Sequence, residues 1–160
     1  MRDTLLHMRW LSVFLFMGLV VLGSTAGAAE GRVYKVLPQF LDLQGRSSLT
    51  PSLYDRDAYQ NILRRNPAKC SGIRYVVQWK ARAASSDSLK LRVELRGIAE
   101  GSVPKRTTVE MPVRQHSRFS HWSSLVFKGD EYKSFGEVTA WRVTLWDGDQ
   151  LLGEQKSFLW

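Results

Sequence analysis

The chain reads as an all-β protein, a two-layer antiparallel β-sandwich of about seven strands with one inserted α-helix. Three observations predict it. First, two stretches alternate strictly. Ile73, Tyr75, Val77, Trp79 and Ala81 share one side with Arg74, Val76, Gln78 and Lys80 opposite, and Leu89, Leu91, Val93 and Leu95 alternate with Lys90, Arg92, Glu94 and Arg96. A period of two with one apolar side marks a half-exposed antiparallel strand. Second, residues 137–160 read as a hairpin: Thr139, Trp141, Val143 and Leu145 alternate with Ala140, Arg142, Thr144 and Trp146. Asp147-Gly148-Asp149 turns the chain, and 151–159 returns. Third, turns are frequent, and a hairpin carrying three tryptophans (Trp141, Trp146, Trp160) needs other strands to bury it.

Taken in order, the chain opens on Arg2 and Arg9, a run of about twelve apolar residues from Leu11 to Leu22, and small residues ending in Ala26-Gly27-Ala28. This pattern predicts a secretory signal peptide over 1–29 and a single sandwich domain over 30–160. The apolar run falls short of the roughly twenty residues that span a bilayer, so no transmembrane segment is expected after cleavage. Residues 33–43 are a looser strand in which Pro38 removes a ladder donor, the sign of an edge. The loop 44–51 leads to a helix over 52–66. Ser52 caps it, Tyr54, Ala58, Tyr59, Ile62 and Leu63 form its apolar stripe, and Asn66-Pro67 stops it. That helix is expected to lie as a lid over one open end of the sandwich.

Strands at 73–82 and 88–97 follow, joined by a turn at 83–87 and read as hairpin neighbours. A loop over 97–105 precedes the strand 107–113, where Pro112 again points to an edge. Residues 119–127 form a strand with Phe119, His121, Ser123, Leu125 and Phe127 on one face and Trp122 on the other. The connecting segment 128–136 is anchored by Tyr132 and Phe135, and the hairpin closes the domain.

The net charge is +8; the leader takes Arg2, Arg9 and Asp3, leaving +7 on the exported portion. In the cytosol such a balance would point to nucleic acid, but export removes that partner. An envelope protein, or an anionic polymer or surface, takes its place. Cys70 stands alone, so no intrachain disulfide forms, and a buried thiol behaving as a small hydrophobe is the plain reading.

The tryptophan of an inner strand (Trp79) and the closing segments Trp141-Arg142-Val143, Leu145-Trp146-Asp147-Gly148 and Leu152-Gly153-Glu154 give 73–160 a likeness. It resembles the immunoglobulin-like and fibronectin-type-III-like sandwiches. With Phe119-Ser120-His121-Trp122-Ser123-Ser124 it is also similar to small exported bacterial domains of unassigned function. The paired cysteines of antibody domains are missing. The resemblance implies a fold and no activity.

No hydrolase elbow, P-loop, dinucleotide fingerprint, HExxH or CxxC occurs, and no carboxylates pair for acid–base work. His116 and His121 are five apart, an odd spacing that puts them on opposite faces of a strand, so no metal site and no cofactor are expected. Two binding candidates remain. Arg74, Lys80, Lys90, Arg92 and Arg96 would crowd one basic outer face if the strands at 73–82 and 88–97 are neighbours. Trp122, Trp146 and Trp160 could stack on sugars or anchor a protein. The expected function is an exported, non-catalytic interaction or structural module of the cell envelope. A carbohydrate-binding module is the alternative, and an envelope hydrolase comes third.

Overall fold

A computed structural model of the chain describes residues 29–82, 87–115 and 119–160. Among them seven strands form two antiparallel sheets. The three-stranded sheet holds β1 (Glu30–Asp42), β2 (Cys70–Arg82) and β5 (His121–Lys128) in the order β1-β2-β5. The four-stranded sheet holds β3 (Leu89–Ala99), β4 (Val103–Pro112), β6 (Glu137–Asp147) and β7 (Gln150–Lys156) in the order β4-β3-β6-β7. Helix α1 (Leu53–Arg65) is inserted between β1 and β2, and a short α2 (Asp130–Phe135) joins β5 to β6. No helix among the described residues is long and apolar enough to cross a membrane. The expected leader falls almost wholly on residues 1–28, which lie outside those described, as do His116 and most of the turn at 83–87.

The alternation seen in the sequence becomes the core. Tyr75, Val77 and Trp79 of β2 meet Leu89, Leu91, Val93 and Leu95 of β3, Leu125 of β5, and Val143 and Leu145 of β6, all buried. Each such aliphatic side chain contributes about 1.5–3 kcal/mol on leaving water.

This arrangement corrects the pairing expected for β2 and β3. They are not hairpin neighbours; the chain crosses from one sheet to the other between Arg82 and Leu89. The reason lies in the same alternation. As members of opposed sheets, their apolar sides face each other across the core, whereas side by side they would set rows of like charge in register.

Two local features shift the expected boundaries. The loop expected at 97–105 shrinks to the turn Glu100–Ser102, because β3 runs on to Ala99 and β4 begins at Val103. Gly97 makes the extension possible: a Cβ there would collide with the Phe135 ring and the Glu137 carbonyl. A register shift between Arg96 and Gly97 also moves Thr139 off the core face, where its hydroxyl donates to the Arg96 carbonyl, and Val138 packs inward instead. The terminal turn pairs Asp147 with Gln150 across Gly148, whose φ is 55°. β7 ends at Lys156, short of the expected 159.

Helix α1 has the expected caps. The Ser52 hydroxyl accepts from the Asp55 amide, and Asn66 closes the last turn onto the Leu63 and Ile62 carbonyls. Its stripe is only half used: Leu63 is buried and Tyr59 half-buried, while Tyr54, Ala58 and Ile62 face outward. The helix lies beside β1, where the Gln60 carboxamide bonds both backbone groups of Phe40.

Asp42, just 4% exposed at the end of β1, fastens this corner. Its carboxylate accepts from the Gln44 and Arg46 amides, the Arg46 guanidinium and the Tyr59 hydroxyl, all at 2.8–2.9 Å.

Candidate functional site

The crossing of the chain divides the five basic residues predicted to share one face. Lys90, Arg92 and Arg96 lie on the outer side of the four-stranded sheet, and Arg74 and Lys80 on that of the three-stranded sheet. The two groups are differently furnished.

On the four-stranded sheet the cations are answered from neighbouring strands. Arg92 pairs with Glu110 at 2.5 Å, Lys90 stands 3.8 Å from the same carboxylate, and Arg142 pairs with Glu94 at 2.6 Å. Two of the candidate tryptophans join this lattice. The Arg92 guanidinium lies 5.0 Å from the centroid of the Trp146 ring, and the Trp146 indole N–H donates to Thr144. Trp160 folds back so that its ring meets Arg96 at 4.0 Å and Arg142 at 5.1 Å. Such contacts are worth about 0.5–1 kcal/mol each where water has access. Basic and aromatic candidates therefore meet here and pair with each other, although Arg96 keeps a buried Nε without a hydrogen-bond partner among the described residues.

The three-stranded sheet differs between its two ends. Near α1, Arg74 donates to Gln39 and Ser47, tying the 44–51 loop down. At the far end β1 and β2 set Arg32 directly opposite Lys80, and Glu30 opposite Arg82. A groove of about 300 Å³ opens there, lined by Glu30, Arg32, Tyr34, Lys80 and Arg82 with Gly31 and Ala81 between. Arg32 reaches the Tyr34 ring at 5.5 Å. None of Arg32, Lys80 and Arg82 forms an ion pair among the described residues. Like charges directly opposed on a sheet repel. A third party carrying negative charge would relieve that repulsion.

One row further along the same face, Lys35, Gln78 and Trp122 stand side by side across β1, β2 and β5. Trp122 is 51% exposed on the face opposite the core, as the alternation of its strand predicts. Gln78 donates to the Ser120 hydroxyl at 3.1 Å.

No family model, curated protein or solved structure matches the chain, and the site is read from its own geometry. Alternation in the sequence points to Arg74, Lys80 and Trp122 on this face but not to Arg32, Tyr34 and Arg82. Arg32 and Tyr34 stand at the start of a strand whose alternation is broken by a register shift between Val33 and Lys35, so no pattern placed them beside Lys80. Cys70 is buried, its thiol donating to the Leu63 carbonyl at 3.3 Å, and burial pushes its pKa up, which favours the protonated thiol.

Proposed function

We propose that this chain is an exported, non-catalytic interaction module that binds an anionic partner in the groove formed by Arg32, Lys80 and Arg82. The observation that carries the reading is the Arg32–Lys80 opposition. Lys90, Arg92, Arg96 and Arg74 each have a carboxylate, an indole or an amide to answer them, whereas Arg32 and Lys80 face each other without an ion pair among the described residues, Arg32 reaching the Tyr34 ring and Glu30 standing opposite Arg82. A polyanion would replace mutual repulsion by attraction and release its counterions, so binding should weaken steeply with salt. Export rests on the leader-like run 1–29, and an intact mass lacking those residues from the secreted product would test it.

The same proposal includes a finer fold assignment, to the immunoglobulin-like and fibronectin-type-III-like group. The strand order supports it: the first, second and fifth strands share one sheet, and the third, sixth and seventh the other, as in immunoglobulin constant-type domains. The fourth strand departs from that plan by joining the larger sheet.

The deciding experiment is retention on heparin-agarose in a salt gradient. The wild type should elute late, and Arg32→Gln with Lys80→Gln should elute early. Arg106→Gln, which removes an exposed cation from the other sheet, should elute close to wild type. An Arg106→Gln shift of half the groove variant's or more, as removal of one charge against two predicts, would reduce the effect to net charge and end the proposal.

A further inference from the structure

We infer that the partner is an acidic polysaccharide, laid across the outer face of the three-stranded sheet with a sugar ring stacked on Trp122; this rests on the groove reading above. The three candidate tryptophans divide by occupancy. Trp146 and Trp160 already carry arginine guanidinium groups, whereas Trp122 has no ring or cation contact among the described residues and leaves its indole to solvent. An exposed tryptophan on a strand face costs solubility without adding to the core, and its amphipathic ring is suited to a surface both apolar and hydroxylated.

The second aromatic is Tyr34, 46% exposed and set in the groove wall beside Arg32. Tyr34 is on β1 and Trp122 on β5, two strand spacings apart, so their backbones are separated by roughly 10 Å across the sheet. Between them stand Lys35 and Gln78, with Ser120 bonded to the Gln78 carboxamide. Cations at one end, a further lysine (Lys35) beside the amide and hydroxyl groups of the middle, and a ring at either side match an extended chain of sugars bearing carboxylates. A lipid surface would need apolar side chains projecting together, and here the rings are held apart. A bare polyphosphate would use the cations and leave Trp122 idle.

Calorimetric titration of the full mature chain at low salt, with polygalacturonate, inorganic polyphosphate and phosphatidylglycerol vesicles as probes, separates these cases. The wild type should bind polygalacturonate in preference to the other two. Trp122→Ala should weaken polygalacturonate roughly tenfold while leaving polyphosphate unchanged, as expected for loss of one aromatic anchor. Arg32→Gln with Lys80→Gln should weaken both. Tyr34→Ala supplies an independent second arm, and unchanged circular dichroism and melting temperature show that each variant folds. If Trp122→Ala and Tyr34→Ala both leave polygalacturonate affinity intact, or if polyphosphate or vesicles bind as tightly, the sugar assignment falls while the anion groove stands. If none of the three probes binds, both fall.

Discussion

The carboxamide of Gln60 pairs with both backbone groups of Phe40: its oxygen accepts from the Phe40 amide at 2.7 Å, and its nitrogen donates to the Phe40 carbonyl at 3.0 Å. Phe40 belongs to β1, the outer strand of the three-stranded sheet, so these are the groups that a further strand would take. The same nitrogen also donates to the Ser47 carbonyl at 2.8 Å. Helix α1 therefore guards a sheet edge with one side chain, which explains why so little of its apolar stripe needs burial.

Replacing Gln60 by Ala should cost about 1–3 kcal/mol in urea unfolding, because partly buried backbone groups lose their partner. Gln60→Glu should fall between the two, since a carboxylate accepts from the Phe40 amide but cannot donate to its carbonyl. An unshifted midpoint for Gln60→Ala would mean that water serves the edge equally well.

Asp42 gives the corner a pH dependence. Burial alone would raise its pKa, but the Arg46 amide, the Tyr59 hydroxyl, the Arg46 guanidinium and the Gln44 amide favour the charged form and lower it from 3.8 to about 2. A carboxyl depressed in the folded state contributes stability that is present above its unfolded pKa and lost as pH falls toward the folded value. Wild-type stability should therefore decline between about pH 4 and pH 2 with a component absent in Asp42→Asn. Parallel acid limbs for the two proteins in denaturant titrations would refute it.

The pattern of one-sided strands was legible because burial imposes a period of two, and Trp79, the leucines of β3, and Trp141, Val143 and Leu145 of β6 lie where alternation puts them. What alternation does not carry is which sheet a strand joins. Arg74 and Lys90 looked like neighbours because a short connection between two antiparallel-looking strands usually makes a hairpin, whereas β2 and β3 belong to opposed sheets. The groove escaped notice for the same reason: Arg32 and Lys80 are 48 positions apart, and only the β1–β2 register brings them together. Bulges hid Tyr34 and displaced Thr139, since one extra residue reverses the face of everything beyond it.

Tyr75 places a hydroxyl in the core with no partner among the described residues, although the ring itself packs edge-on against Trp141 at 6.2 Å. Burial, with a smaller contribution from Tyr132, pushes the phenol pKa up, so it stays protonated throughout the useful range. Removing an unsatisfied polar group while keeping the ring should be neutral or stabilising, and Tyr75→Phe should unfold within about 1 kcal/mol of wild type or above it. Tyr75→Leu, which discards the ring, should lose clearly more. A large loss in Tyr75→Phe would reveal a buried water bound to the hydroxyl.

The contact of Trp160 with Arg96 and Arg142 is separable from the rest of the sheet by a double-mutant cycle. Arg142 is also held by Glu94, but Arg96 has a buried Nε without a partner among the described residues, and the indole is what lies over it. Trp160→Ala should lower stability by about 0.5–2 kcal/mol, partly offset because water then reaches the Arg96 guanidinium. The coupling between Trp160→Ala and Arg96→Ala should come to about 0.5–1 kcal/mol, and that between Trp160→Ala and Arg142→Ala should be smaller, in line with the longer 5.1 Å approach. Strictly additive losses at Arg96 would show that the ring merely shields the strand beneath it, and the two cation contacts of Trp160 would then have to be read as packing alone.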